Sequence, residues 1–292
     1  MRSRKGYWAF TTEDVERVRN KPAAPAGPNR AQQALASIAT SVQAARWVRT
    51  WVGTERGDNG KTRLTLTWEP LPIQQGLRRE QAGRVSLLAA TAEGGLVYRG
   101  RSPDTAAPEG TSPASRTGAA PAAAALASAP RRIAFEAPPG KLELRLTIEA
   151  AGGGTLDTET RTIDIPDLTV PKAALSTPRV FRARTARDFQ AHLKDAAAVP
   201  VAAREFSRTE RLLIRFDAYG AGSETPAPAA AILARDGKKI ADLPVAPAAA
   251  GGTHQLDVAL NTMASGEYVI EITVTDASGT TASELVPIRI GA

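Results

Sequence analysis

The chain contains no cysteine, which excludes disulfides, thiol catalysis and cysteine-ligated zinc. The compartment stays open, because extracytoplasmic proteins also do without cysteine. Histidine is nearly as scarce: His192 and His254 are the only two, a thin basis for a histidine-built metal centre. Aromatic residues make up 5% of the 292 positions, so a core has to be built mainly from Val, Leu, Ile and Ala. No apolar run approaches the roughly 18 residues of a membrane helix. The opening MRSRKGYWAF also lacks the apolar run of about 7–15 residues that follows the charged start of a secretory signal.

What is present points to β structure. Hydrophobic residues at 42% suffice for a proper core, and 24 Gly with 21 Pro call for many turns and short elements. The length accommodates two ordinary domains. Residues 11–19, TTEDVERVR, read as a short helix with Thr12 as N-cap. KPAAPAGPN (21–29) reads as a linker whose Asn29 caps a second helix, where Leu35, Ile38 and Val42 recur at helical spacing. From Arg46 the period shortens to two. RWVRTWVGT and TRLTLTWEP flank the Asn59-Gly60 turn signal. RVSLLAAT, GLVYRGR, RRIAFEAP, KLELRLTIEA and LDTETRTIDIPD follow. These seven strands predict an antiparallel sandwich over 45–167. Within it, 102–130 is low-complexity Ala, Pro, Ser and Gly, read as a disordered excursion. Beyond IPDLTVPKAALSTP, residues 168–292 supply VFRA, a short helix at TARDFQAHLKD, and six further strands, RLLIRFDAY, PAAAILAR, KIADLPVA, THQLDVAL, GEYVIEITVTD and ASELVPIRI. The fold class predicted is mainly β: two antiparallel sandwiches of immunoglobulin or fibronectin-III type, preceded by a helical segment over 1–44.

Several motifs invite a functional reading. Arg56-Gly57-Asp58 spells an integrin-binding tripeptide, yet Gly-Asp-Asn-Gly is also what a tight turn requires. Asp276-Ala277-Ser278-Gly279-Thr280 resembles a metal-binding Asp-x-Ser-x-Ser, and Asp-x-Ser-Gly is equally a hairpin turn, the reading preferred here. For catalysis, neither histidine has a recognisable nucleophile partner. Asp157, Glu159 and Asp164 could form a carboxylate cluster, but Asp157 and Glu159 on an alternating strand read more simply as a solvated face, and no Gly-rich phosphate loop opens a helix. The chain is therefore read as no enzyme, with no cofactor and no metal.

Two surfaces stand out as candidates for interaction. The chain carries a formal charge of +7, and 179–215 holds nine basic residues against four acidic ones. Arg179, Arg182, Arg184, Arg187, Arg204 and Arg208 are its candidate contact residues; in RVFRAR and RLLIRF the arginines alternate with apolar residues, which predicts solvent-facing positions. A structural or protein-contact role is preferred over polyanion binding, since nucleic-acid grooves interleave stacking aromatics and these phenylalanines fit burial as well. Trp47 and Trp51 are expected on one face of one strand, as core or, alternatively, as a carbohydrate-stacking strip.

Several stretches together resemble one family. RKGYWAFTTEDV, RTWVGTERGDNGKTRLTLTWEP, LSTPRVFRARTARDFQ, AVPVAAREFSRTERLLIRF and GEYVIEITVTDASGTTASELVPIRI are similar to the C-terminal region of von Willebrand factor type A-related proteins of Acidobacteria-type soil bacteria. Those proteins carry a signal peptide, a type A domain and then a β-rich region. The resemblance implies export, a non-enzymatic spacer or protein-interaction role, and the type A domain as a partner. It also makes MRSRKGYWAF the exit from an upstream domain, with this chain a fragment or a short gene product. It carries over no catalytic residue.

Overall fold

The computed structural model describes residues 29–44, 46–72, 80–104, 131–220, 226–250 and 252–291. The helix expected at 11–19, Tyr7-Trp8, the linker before Asn29 and the low-complexity stretch over 105–130 lie outside the described residues.

The first sandwich is built from β1 (Val48–Arg56), β2 (Thr62–Pro70), β3 (Ala82–Thr91), β4 (Leu96–Ser102), β5 (Arg132–Ala137), β6 (Gly140–Ala150) and β7 (Thr155–Ile165). They form two antiparallel sheets, in the orders β1-β2-β5 and β4-β3-β6-β7. Alternation decides which side of each strand is buried. In β6, Leu142, Leu144, Leu146 and Ile148 enter the core while Glu143 and Arg145 face out. Leu64, Leu66 and Trp68 of β2 meet them from the facing sheet. The β1–β2 hairpin closes at Asn59 and Gly60, with φ of 52° and 75°. Positive φ at both central residues is what a type I′ turn demands.

The second sandwich starts with the two-residue strand β8 (Ala174–Leu175) and β9 (Arg179–Ala183). Its other strands are β10 (Glu205–Ser207), β11 (Arg211–Phe216), β12 (Ala218–Tyr219), β13 (Pro228–Ala234), β14 (Lys239–Leu243), β15 (Val245–Pro247), β16 (His254–Ala259), β17 (Gly266–Thr275) and β18 (Thr281–Gly291). A four-stranded sheet, β15-β16-β11-β9, packs on a five-stranded one, β10-β18-β17-β13-β14, and β8 pairs with β12. Pairing is antiparallel except between β10 and β18. KIADLPVA is two strands rather than one. Pro244 separates β14 from β15, and the chain changes sheets there because proline supplies no ladder donor.

Two helices cover the outer faces of this sandwich. Helix α1 (Arg30–Ala44) lays Ala31, Leu35 and Ile38 on Leu233 of β13 and Val269 of β17. Asn29 caps it: its Oδ1 accepts from the Gln32 N–H at 2.8 Å, and Gln32 Oε1 accepts from the Asn29 N–H at 3.1 Å. That reciprocal pair is a capping box. Helix α2 (Ala186–Lys194) has its own box between Thr185 and Asp188, and packs Phe189 on Phe181 and Leu213.

Helix α2 overturns one expectation. The arginines of RLLIRF do not all face solvent. Leu213 and Arg215 point at α2 instead of water, so all five residues from Leu212 to Phe216 are buried. A strand covered on both faces loses the period of two that exposure would impose.

Candidate interaction site

The strands of residues 48–165 and those of 174–291 pair only among themselves, yet the two sandwiches are joined by a seam of directed contacts. Thr54 and Thr177 form its middle. The Thr177 N–H donates to Thr54 O at 2.8 Å, the Thr54 N–H donates to Thr177 Oγ1 at 3.1 Å, and the hydroxyls meet at 2.9 Å. At one end, the Arg56 N–H donates to the Tyr219 hydroxyl at 3.0 Å and its Nε to Leu168 O at 2.9 Å. The Arg56 guanidinium lies 4.3 Å from the Tyr219 ring centre, a cation–π arrangement. Burial pushes the Tyr219 phenol up to about 12. Toward the other end, Arg49 pairs with Glu205 at 2.8 Å, and Glu69 accepts from the Ala202 N–H at 2.8 Å. Arg179 bridges Glu55 of β1 and Asp217 at 2.9 and 3.2 Å.

Beside this seam lies a cavity of about 250 Å³, bounded by α1, β1 and β18. Trp51 forms an apolar wall, and Arg49, Arg161 and Arg204 supply cations. Glu284 is its carboxylate. Desolvation pushes the Glu284 carboxyl up to about 7, against the pull of Arg30. Burial draws the Arg204 guanidinium down to about 10, opposed by the charge of Glu69. Mixed apolar walls with a few converging polar groups are the usual make-up of a binding pocket.

The structure gives most of the candidate arginines of 179–215 partners within the chain. Arg179 is held in the seam. Arg182 and Arg184 share Glu210, at 3.7 and 3.3 Å. Arg204 gives Nη1 to the carbonyls of Val201 and Ala203. Arg187 and Arg208 are exposed on the surface. The tryptophans also part company. Trp47 precedes β1 and packs against the first core, whereas Trp51 lies within β1 and lines the cavity. Expected on one face of one strand, they are two separate packing sites, because the strand begins only at Val48.

The remaining motifs resolve into turn and packing chemistry. Arg56 of the Arg-Gly-Asp tripeptide is engaged in the seam, and the Asp58 N–H donates to Glu136 Oε1 at 3.2 Å. Asp276 Oδ1 accepts from the Ser278 and Thr280 N–H groups at 2.9 and 3.1 Å, and Oδ2 from the Ala173 N–H at 2.8 Å. The Ser278 hydroxyl also donates to Oδ1, and that bond first, then the backbone ones, hold the carboxyl below the usual range. His192 Nε2 meets Arg182 O, and His254 Nδ1 meets the Thr253 hydroxyl. Among the described residues no cluster of three His, Asp or Glu side chains is placed to hold a metal.

Reading the sequence singled out Arg204 and Trp51 but missed Arg161, Glu284 and Ile38 as their neighbours. Nothing local marks those three. They come together only when β7, β18 and α1 converge.

No protein-family model matches the chain, and no curated protein matches it either. Among solved structures, a 1.5-MDa bacterial ice-binding adhesin is similar at 9% identity and TM-score 0.26, over 85% of this chain and 66% of that one. Fibronectin(III)-like modules of Clostridium thermocellum CbhA give 11% and 0.22, over 82% of this chain and 94% of theirs. Dimeric latent PorU from Porphyromonas gingivalis gives 12% and 0.34, over 86% and 21%. The fold class stands on the chain's own strands and sheets.

Proposed function

We propose that the chain is a non-enzymatic spacer and protein-interaction module that works outside the cytoplasm, the β-rich part of a von Willebrand type A-related protein. The seam is the observation that carries the spacer half of this reading. A spacer transmits position only if its domains move together, and inter-domain contacts within a chain are loose by default. Here neutral hydrogen bonds, a cation–π contact and partly buried ion pairs cross the junction. Export and the type A partner rest on the sequence resemblance. Recognition by sheet edges and cleft walls suits a chain whose described histidines are engaged by a backbone carbonyl and a hydroxyl.

The test is calorimetric. A rigid two-sandwich unit unfolds in one transition whose calorimetric and van't Hoff enthalpies agree. Two resolved transitions in the unmodified chain would sink the spacer reading. Localisation is checked separately, by fractionating cells that express the gene from its own locus and probing for the protein.

A further inference from the structure

Strand β1 is the edge of its sheet, and its outer row of main-chain groups is only partly covered. N–H and C=O groups alternate sides along a strand. The N–H groups of Thr54 and Arg56 point away from β2, toward Thr177 and Tyr219. The β1–β2 register runs unbroken from Val48 to Arg56. Val48, Thr50 and Val52 therefore turn their N–H and C=O groups to that same outer side. None of these groups finds a hydrogen-bond partner there among the described residues.

The cavity lies against this side. Residues 48–51 all line it. Successive side chains of a strand point to opposite faces, so a cavity touching four in a row runs along the strand's edge. Residues 284–287 of β18 line it in the same way, and β10 covers the outer side of β18 only at 289–291. The cavity is thus a slot between two strand edges. The two are unequal. The Arg289 N–H points outward to Arg204 O, which puts position 287 on the outer side too, and Pro287 has no N–H to offer. An incoming strand finds an intact ladder on β1 alone.

Charge selects the occupant. Arg49 and Arg161 have carboxylate partners in Glu205 and Glu159. Arg204 donates only to the carbonyls of Val201 and Ala203, and the charge of Glu69 acts on it from beyond ion-pair distance, so among the described residues no carboxylate contacts it. We propose that the slot takes an extended acidic segment of a partner protein, which adds to the free edge of β1 and sets a carboxylate against Arg204. This is β-strand addition, with main-chain bonds giving affinity and side-chain contacts giving selectivity. It rests on the interaction half of the reading above and leaves the spacer half untouched.

The probe is a synthetic pool of blocked hexapeptides with Glu at the third position and Val, Thr or Ile elsewhere. Companion pools carry Lys in place of Glu, or N-methyl groups on the odd or on the even residues. Titration into the full chain, followed by amide shifts, should give saturable changes at Val48, Thr50 and Val52. Binding should weaken at least tenfold with the Lys pool, with one of the two N-methylated pools, and in Arg204→Gln. Measured against Thr50→Val, which equally loses the bond from Arg161 to Thr50 Oγ1, Thr50→Pro removes one edge donor without touching the β1–β2 ladder and should weaken binding similarly. The exposed Arg208→Gln should change nothing. Equal binding of both N-methylated pools overturns strand addition and leaves a pocket for small anions. No saturable binding of the Glu pool to a chain that still unfolds in one transition overturns the proposal while the spacer reading survives.

Discussion

Arg215 is fully buried, and it has no ion-pair partner among the described residues. Its guanidinium donates to the carbonyls of His192 and, at 2.9 Å, Asp195 at the end of α2, and lies 5.0 Å from the Phe181 ring centre. The negative end of a helix dipole substitutes for a carboxylate. Desolvation first, then Arg179, hold its pKa below the usual guanidinium value. Removing it strands two carbonyls and opens a cavity. Arg215→Ala should cost about 3–5 kcal/mol, read from urea unfolding, with Arg215→Met recovering part of the loss through retained volume. An unchanged midpoint in Arg215→Ala would contradict a structural role. Glu284 works in the opposite sense. Its carboxyl is raised from 4.5 to about 7, so the folded chain holds the proton more tightly than the unfolded chain. Its contribution is fully present below about pH 4.5 and is lost as pH rises through 7. Glu284→Gln should therefore flatten stability between those values and raise it at pH 8 by roughly 1–3 kcal/mol. A stability that changes from pH 5 to 8 by the same amount in the wild-type chain and in Glu284→Gln would rule out this role for Glu284.

At the scale of elements, the N-cap Asn29 was readable from the sequence because its chemistry is local, whereas its reciprocal bond with Gln32 came only from the structure. Asn29→Ala should destabilise α1 by about 1 kcal/mol. Hydrogen exchange should quicken in its first turn while core amides of β11 stay protected. Uniform quickening across the second sandwich would mean that α1 and the sheet beneath it open as one unit. The same locality explains which strands were legible. All seven strands of the first sandwich follow sequences with turn residues at both ends, and most alternate as half-exposed strands do. The strands that escaped, β8 and β10, have two and three residues, too few for any period to register, and the two-residue β12 was read as the end of β11. The Arg-rich stretch misled for a different reason. Alternation in RLLIRF was real, but a helix covers the face that alternation assigns to water. The cavity escaped altogether, because Ser37, Trp51, Arg161, Arg204 and Glu284 sit on five separate segments that only tertiary packing unites.

The whole molecule depends on how its two sandwiches hold together, and the contacts of the seam differ in kind. The ion pairs Arg49–Glu205 and Arg179–Glu55 have side chains 19–33% exposed, so solvent screens them and added salt should weaken them. The Thr54–Thr177 bonds are neutral and salt does not reach them. Loss of Thr177 Oγ1 leaves the partly buried Thr54 N–H without its acceptor, at a cost of about 1–3 kcal/mol. Arg56→Ala removes the cation–π contact and the Leu168 bond, which together contribute about 1–2 kcal/mol. Neither residue lies in the buried cores, so each sandwich should keep its own fold. The double variant Thr177→Val, Arg56→Ala is then expected to split one thermal transition into two, with the separation widening at high salt as the ion pairs are screened. Small-angle scattering at room temperature should show a broader distribution of inter-domain distances before either sandwich melts. A double variant that still melts in one transition at high salt would shift the coupling to the Glu69–Ala202 bond and to apolar contact across the junction. That outcome would make Glu69→Ala the substitution that separates the two halves.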